Sequence, residues 1–152
     1  MKIELRGSFK VLDIPTSHFV GEREKIIERN HRLFGTGSEG PGRIYRIGPN
    51  QDLIGKSPEQ EGLQPLDVDL VYKDDYENVD TKAPFVPSFV VGKVKGGGEA
   101  GRDVAVAVNG KIVGVGETFT LAVGDSGELV AVMVPPESFK RGSNDVRVYL
   151  AR

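Results

Sequence analysis

The chain has 152 residues, among them 20 Gly and 9 Pro, and a formal net charge of −2. This length suits one domain with a real core, and so many turn-forming residues favour short strands over a helical bundle. The balance of 20 basic and 22 acidic residues gives no electrostatic reason to expect nucleic acid as a partner. The lack of Cys excludes disulfides and thiolate chemistry, and no apolar run reaches the ~20 residues of a membrane helix, so we expect no direct membrane insertion.

The N-terminal part predicts one strand and then one helix. Ile3 and Leu5 alternate with charged residues, which is typical of a half-buried strand within 2–12, and Gly7-Ser8 indicates a bulge. After a break, apolar residues recur in pairs every seven positions, which predicts an amphipathic helix from about Phe19 to Leu33. We expect its apolar stripe to face the core, because a lone amphipathic helix needs a surface to cover it.

The middle of the chain is rich in Gly and Pro and predicts a long ordered loop from Gly35 to Pro65. A run of this length is either functional or packs over the sheet. Alternation from Leu66 to Tyr72 predicts a strand, and the acidic stretch from Lys73 to Lys82 predicts a loop. Ala83 to Lys95 predicts a further strand region, whose two prolines place its start at a sheet edge.

The stretch from Asp103 to Arg152 contains the clearest strands. Residues 104–108 alternate Val with Ala, so both faces are apolar, as in a strand buried between two layers. Asn109-Gly110 then predicts a two-residue type I′ turn. The turn leads into a second strand, from Lys111 to about Val123.

Two more strands complete the predicted domain. After a turn at Gly124-Asp125-Ser126-Gly127, a strand from Glu128 to Val134 ends at Pro135-Pro136, because neither proline can donate to a ladder. Asp145 to Leu150 forms the last strand, with Arg147 and Tyr149 directed outward.

Together these elements predict a mainly β fold, a β-sandwich or partly open barrel with one packed α-helix and a long ordered loop. We expect a single domain, 1–152. In it the helix and long loop, 17–66, pack on the sheet, and 83–152 forms the β-rich part.

Short motifs that resemble chemical sites fail on their context. Residues 35–40 fit the letters of a dinucleotide-binding loop, but they follow a helix where the motif needs a strand before and a helix after. Residues 124–127 match the letters around a serine-protease nucleophile, yet a hairpin turn explains them. His18 and His31 lie beside and within the predicted helix, thirteen residues apart, and cannot form one site without other ligands.

One acidic cluster is the remaining candidate for a metal site. No spacing in it reproduces an EF-hand loop, so a solvated surface is the main interpretation and weak calcium binding the alternative. The cluster consists of Asp67, Asp69, Asp74, Asp75, Glu77 and Asp80. The sequence therefore predicts no catalytic residue, no resident metal and no cofactor.

Several strings together resemble a known family. The segment HRLFGTGSEGPGRIYRIGPNQDLIGK, residues 31–56, resembles the region after the catalytic domain in membrane-bound sulfatase-like proteins of the alkaline phosphatase superfamily, mostly from actinobacteria. The resemblance continues through 76–80 and 83–94 and ends with DVAVAVNGKIVGVGETF and LVAVMVPPESFKRGSNDVRVY. In that family the upstream domain binds metal and carries a C/S-x-P-x-R motif. This chain lacks the motif, so no catalytic or metal residue is carried over.

The resemblance implies a non-catalytic accessory C-terminal domain on the extracytoplasmic side, tethered through a parent membrane protein. Its partner would be the catalytic domain of the same parent chain, which it supports or positions. The alternative is a glycan-binding β-sandwich module, for which the fold alone is the analogy. Either function needs a docking or ligand surface, and the candidate residues are Arg43, Tyr45, Arg46, Tyr72 and Tyr76.

Overall fold

The structure is a computed structural model. It describes residues 2–3, 12–13, 16–34, 44–98, 100–121 and 127–151. Within this part the fold is mainly β, with one four-stranded and one three-stranded antiparallel sheet that do not close into a barrel, and it contains one helix longer than seven residues. The prediction of a mainly β, sandwich-like fold is confirmed. The chain divides into two compact units, Met1–Gly37 and Ser38–Arg152.

The N-terminal unit consists of β1 (Lys2–Ile3), β2 (Leu12–Asp13) and α1 (Thr16–Phe34). The two short strands pair antiparallel, and the predicted bulge between them lies outside the described residues. The predicted helix is confirmed, although it begins three residues earlier than expected. Ile26 and Ile27, in the middle of its apolar stripe, are exposed. The expected burial of the stripe is therefore not met at these two positions.

Within its described residues, the second unit contains seven strands and one short α-helix. In the first sheet the strand order is β3-β9-β6-β7, and in the second it is β4-β5-β8. The helix, α2, occupies Lys73–Glu77 within the stretch that was predicted to be a loop. The strands are β3 (Gln64–Leu66), β4 (Val68–Leu70), β5 (Phe89–Val94), β6 (Asp103–Val108), β7 (Lys111–Glu117), β8 (Leu129–Met133) and β9 (Val146–Leu150).

The single strand predicted from Leu66 to Tyr72 is in fact two strands in different sheets. β3 pairs with β9, whereas β4 pairs with β5, and the chain crosses between the sheets at Asp67. The Lys95 amide donates to the Asp67 carbonyl at 2.9 Å, which already attaches Asp67 to the second sheet. Pro65 fits in β3 because this strand lies at a sheet edge, where a missing N–H is tolerated.

The predicted hairpin is confirmed in its turn and in its first strand. Asn109 and Gly110 have φ angles of 52° and 79°, the positive pair that a type I′ turn requires, and β6 pairs antiparallel with β7. β7 ends at Glu117 and not near Val123, although Phe119 forms a single bridge with Leu129. Most of the turn predicted at 124–127 lies outside the described residues.

The main core lies between the two sheets. Val104, Val106 and Val108 of β6 are buried there with valines of β5 and β8. The sheets come closest at β7 and β8, where a Cβ on Gly114 would lie 2.8 Å from the Met133 carbonyl oxygen. Glycine at this position is therefore a packing requirement.

A second apolar cluster covers the outer face of the first sheet. Ala105 and Ala107 lie in it, which confirms that both faces of β6 are buried. Leu53 and Leu63, from the predicted long loop, pack there, so this part of the loop covers the sheet. Tyr149 faces away from the main core as predicted, but it is buried in this cluster and not exposed to solvent.

The connection from β5 to β6 is held by one buried carboxylate. Glu128 is 0 % exposed at its side chain and accepts from Arg102 Nε at 2.8 Å and Nη2 at 2.6 Å. Its Oε2 also accepts the Gly98 backbone amide at 3.1 Å, which fixes the end of the glycine run 96–98. The Arg102 hydrogen bonds hold the pKa of Glu128 below its usual value.

Candidate binding site

A pocket of about 690 Å³ lies between α2 and the segment that leads into β5. Its walls come entirely from the stretch between Tyr72 and Phe89, and we call it the α2 pocket. This volume is in the range of ~300–1,000 Å³ that is typical of ligand sites. One continuous stretch of chain therefore forms a concave surface at the end of the second sheet.

Tyr76 anchors the floor of the α2 pocket. Its side chain is 1 % exposed, its ring stacks on Phe139 with centroids 5.9 Å apart, and its hydroxyl donates to the Phe89 carbonyl at 2.9 Å. Burial raises the pKa of Tyr76 to about 12, so the hydroxyl stays neutral and remains a donor at neutral pH. This one side chain ties α2 to the start of β5.

Asn144 stabilises the same region through side-chain hydrogen bonds to the backbone. It is buried, and its amide Nδ2 donates to the carbonyls of Lys140 and Gly142, each at 2.9 Å, and to the Tyr76 carbonyl at 3.3 Å. Its Oδ1 accepts from Asn109 Nδ2 at 2.8 Å. The wall of the α2 pocket is thus connected to the β6–β7 hairpin by a fully satisfied polar side chain.

Local hydrogen bonds shape the walls. The side-chain amide Nδ2 of Asn78 donates to the Asp74 carbonyl at 3.3 Å and closes the end of α2. Asp80 then organises a tight turn, because its Oδ1 accepts the Lys82 amide at 3.1 Å and its carbonyl accepts the Ala83 amide at 3.0 Å. These hydrogen bonds hold the backbone of the pocket walls between Asp74 and Ala83.

Three aromatic rings at the α2 pocket are open to solvent. Tyr72 is 49 % exposed, Phe85 88 % and Phe89 45 %. Single exposed apolar residues are ordinary on a protein surface, but three aromatic side chains around one concavity are typical of a binding surface. Exposed Tyr and Phe also combine a large contact area with little conformational freedom to lose on binding.

The electrostatics of the α2 pocket are acidic. Asp74, Asp75 and Asp80 line it, and among its described lining residues none is basic. The neighbouring Lys73 ammonium lies 3.9 Å from the Glu77 carboxylate. The pocket therefore presents three carboxylates beside three exposed rings.

The chain matches no family model, no curated protein and no solved structure at a significant level. The relation to sulfatase-like proteins accordingly stays a prediction from the sequence strings. Among the described residues, no helix is long and apolar enough to span a membrane.

The structure brings together two of the five residues predicted to form a ligand surface. Tyr72 and Tyr76 both line the α2 pocket, Tyr72 at the exposed rim and Tyr76 as a buried anchor. Tyr45 is half-buried and Arg46 exposed, and neither lines this pocket. Arg43 lies outside the described residues.

Sequence reasoning missed the other two rings of the site. Both lie in the predicted strand region 83–95. Phe89 begins β5 as predicted, whereas Phe85 precedes the strand, between Pro84 and Pro87. The acidic cluster was recognised, but its proximity to aromatic rings was not. Among the described residues no group of three or more His, Asp or Glu is placed to hold a metal ion.

Proposed function

We propose that this chain is a non-catalytic accessory domain of a membrane-bound sulfatase-like hydrolase and that it acts by binding through the α2 pocket. The strings between residues 31 and 149 that resemble the family support the first part. The observation that carries the second part is the set of three exposed aromatic rings around one concave, partly apolar surface. The partner would be the catalytic domain of the same parent chain.

Covering the exposed rings would supply part of the docking energy. Full burial of one Phe side chain is worth ~1.5–3 kcal/mol, and Phe85 is almost entirely exposed in the isolated chain. Docking there would not require the sandwich to rearrange, because Tyr76 and Asn144 already hold the pocket walls. The domain would then fix the position of its neighbour from a preformed surface.

An immunoblot of fractionated source cells tests the accessory-domain proposal. An antibody raised against the purified chain should detect a band several times larger than 16.5 kDa in the membrane fraction. A soluble band near 16.5 kDa would contradict a tethered accessory domain. Metal-dependent hydrolysis of a sulfate or phosphate ester by the purified chain would contradict the non-catalytic role.

Glycan binding is the second candidate function. The specific observation in its favour is that exposed rings such as Tyr72 and Phe85 lie beside carboxylates, which accept hydrogen bonds from sugar hydroxyls. Calorimetry with neutral and sulfated oligosaccharides tests it. Neutral sugars should release heat and sulfated ones should not, because the three aspartates repel sulfate. No heat from either class at millimolar ligand would exclude this function.

A further inference from the structure

The α2 pocket has an excess of hydrogen-bond acceptors. The carboxylates of Asp74, Asp75 and Asp80 accept hydrogen bonds and donate none when ionised. Two of the nearby donors are already used, because the Asn78 amide donates to the Asp74 carbonyl and the Tyr76 hydroxyl donates to the Phe89 carbonyl. A complementary ligand must therefore supply donors and needs few acceptors of its own.

The aromatic rings favour a cation in addition. The faces of Tyr72, Phe85 and Phe89 carry the negative part of the ring quadrupole, which attracts an ammonium or a guanidinium group. Arg and Lys side chains also have an apolar stem that packs on such rings while the charged end reaches a carboxylate. Both properties of the pocket thus select the same kind of group.

The chain itself does not neutralise the carboxylates of Asp74 and Asp75. Within the described part, neither the Asp74 nor the Asp75 side chain forms an ion pair, and the nearest lysine of the helix, Lys73, is directed to Glu77. The carboxylates of Asp74 and Asp75 belong to exposed residues on one short helix. Both carboxylates line the pocket, so each attracts a cation that binds there.

We infer that the α2 pocket binds an arginine or lysine side chain presented by a basic, extended peptide segment of a protein partner. This inference deepens the proposed function, since it rests on the binding role of the same pocket. The volume of about 690 Å³ accommodates one long side chain together with part of the flanking peptide. Guanidinium fits best, because its planar fork stacks on a ring and donates to two carboxylates at once.

A neutral glycan matches the acceptors and the charge of the α2 pocket less well. A sugar hydroxyl can donate to a carboxylate, but a neutral sugar carries no positive charge to balance the three aspartates. A sulfated glycan is repelled outright. The basic peptide is the ligand whose charge, donors and apolar stem all match the pocket.

Titration of the full chain with a defined peptide tests the inference. The probe is an N-acetylated, C-amidated pentapeptide with arginine at positions two and four and leucine elsewhere, added at low salt. We expect it to shift the backbone and ring NMR signals of Tyr72, Phe85 and Phe89. The same peptide with citrulline in place of arginine keeps the shape but lacks the charge, and should bind about tenfold more weakly.

Variants of the pocket sharpen the test. The double substitution Asp74→Asn with Asp75→Asn keeps the shape of both side chains and should lower the affinity about tenfold. Phe85→Ala should lower it about threefold. Asp69→Asn and Ile44→Ala, at exposed positions outside the pocket, are the matched controls and should leave the affinity unchanged. Higher ionic strength should weaken binding to the wild type more than to the double variant.

Three outcomes would overturn the inference. They are equal binding of the arginine and citrulline peptides, no shift at the three aromatic residues with millimolar peptide, and shifts at these residues with a neutral oligosaccharide alone. None of them depends on the immunoblot. If the immunoblot shows a membrane-tethered parent but the peptide does not bind, only this inference is wrong. If the peptide binds but the immunoblot shows a free 16.5-kDa protein, only the family proposal is wrong.

Discussion

Two irregular segments of the second unit differ in how far their apolar side chains are buried. The segment 50–63 buries Leu53 and Leu63 on the outer face of the first sheet and exchanges backbone hydrogen bonds with β7, from Gly55 to the Ile112 carbonyl at 2.8 Å and from Ile112 to the Lys56 carbonyl at 2.9 Å. The segment 72–89 buries Tyr76 but leaves three rings exposed. The first segment covers the sheet with its leucines, and the second is held by two buried residues, Tyr76 and Val79, and presents a surface.

This comparison separates residues that stabilise the fold from residues that are free to bind. In the covering segment the leucines gain their burial energy on folding. In the pocket segment Phe85 remains largely hydrated, and Tyr72 and Phe89 keep about half of their surface exposed. This apolar surface gains no burial energy on folding and is retained for a ligand. Substitutions in the two segments should therefore differ in stability and in binding.

Tyr76→Ala should produce the largest effect. It removes a buried ring from the main core, leaves Phe139 without its stacking partner and deprives the Phe89 carbonyl of its donor, for a loss of about 4 kcal/mol in the free energy of unfolding. Chemical denaturation measures it. Tyr72→Ala, the same change at an exposed ring of the same segment, is the control. Equal losses in both variants would mean that the segment has no distinct anchor.

Leu53→Ala should cost about 2–3 kcal/mol, because it opens a cavity in the second cluster between the covering segment and the first sheet. Leu121→Ala, at an exposed position, should cost far less. The midpoint of urea unfolding of both variants provides the measurement. A Leu53→Ala protein as stable as the wild type would show that the segment 50–63 does not belong to the core.

Arg102→Ala extends the comparison to the β5–β6 connection, which is held by a polar pair. We expect a loss of about 2 kcal/mol at neutral pH, below the usual cost of breaking a buried pair because the Arg102 side chain is 37 % exposed. The lowered pKa of Glu128 stabilises the fold above the ordinary carboxyl range, and this stabilisation is lost as the pH falls through the folded-state pKa.

The stability difference between Arg102→Ala and the wild type should therefore be largest near pH 7 and shrink below the ordinary carboxyl pKa, about 4.5. Thermal unfolding measured over this pH range checks the sign. A difference that is independent of pH would mean that the loss comes from packing of the arginine stem. Arg147→Ala, at an exposed ion pair with Asp145, is the control for a surface charge.

Tyr76→Phe isolates the hydroxyl of the anchor and should cost about 1 kcal/mol, because the ring stays packed and the Phe89 carbonyl loses one hydrogen bond. Urea unfolding measures this loss, and NMR signals of Phe89 should shift with it. If the signals of Phe89 are unchanged, the hydroxyl does not hold the start of β5.

Phe85→Ala should have the smallest effect on folding, within about 0.5 kcal/mol of the wild type, because its ring is exposed. Thermal unfolding of the variant beside Leu53→Ala provides the direct comparison between the two segments. A large loss of stability in Phe85→Ala would place this ring in the core and remove it from the proposed binding surface.

Features that depend only on neighbouring residues could be predicted from the sequence. Positive φ angles at Asn109-Gly110 follow from residue type, the α1 helix from its period, and the two apolar faces of β6 from strict Val and Ala alternation. Each of these signals lies within one element, so no distant partner had to be known. They were sufficient for a mainly β, sandwich-like fold.

Which distant segments meet could not be predicted, because it depends on the tertiary structure. The alternation in 66–72 is the same whether the strand pairs with one sheet or crosses between two at Asp67. Tyr149 alternates like a solvent-facing residue, yet it is buried because Leu53 and Leu63, more than 80 positions earlier, cover it. The α2 pocket depends in the same way on long-range contacts of Tyr76 with Phe139 and Asn144. Burial is set by the partner that arrives from elsewhere in the chain, and no local pattern encodes that partner.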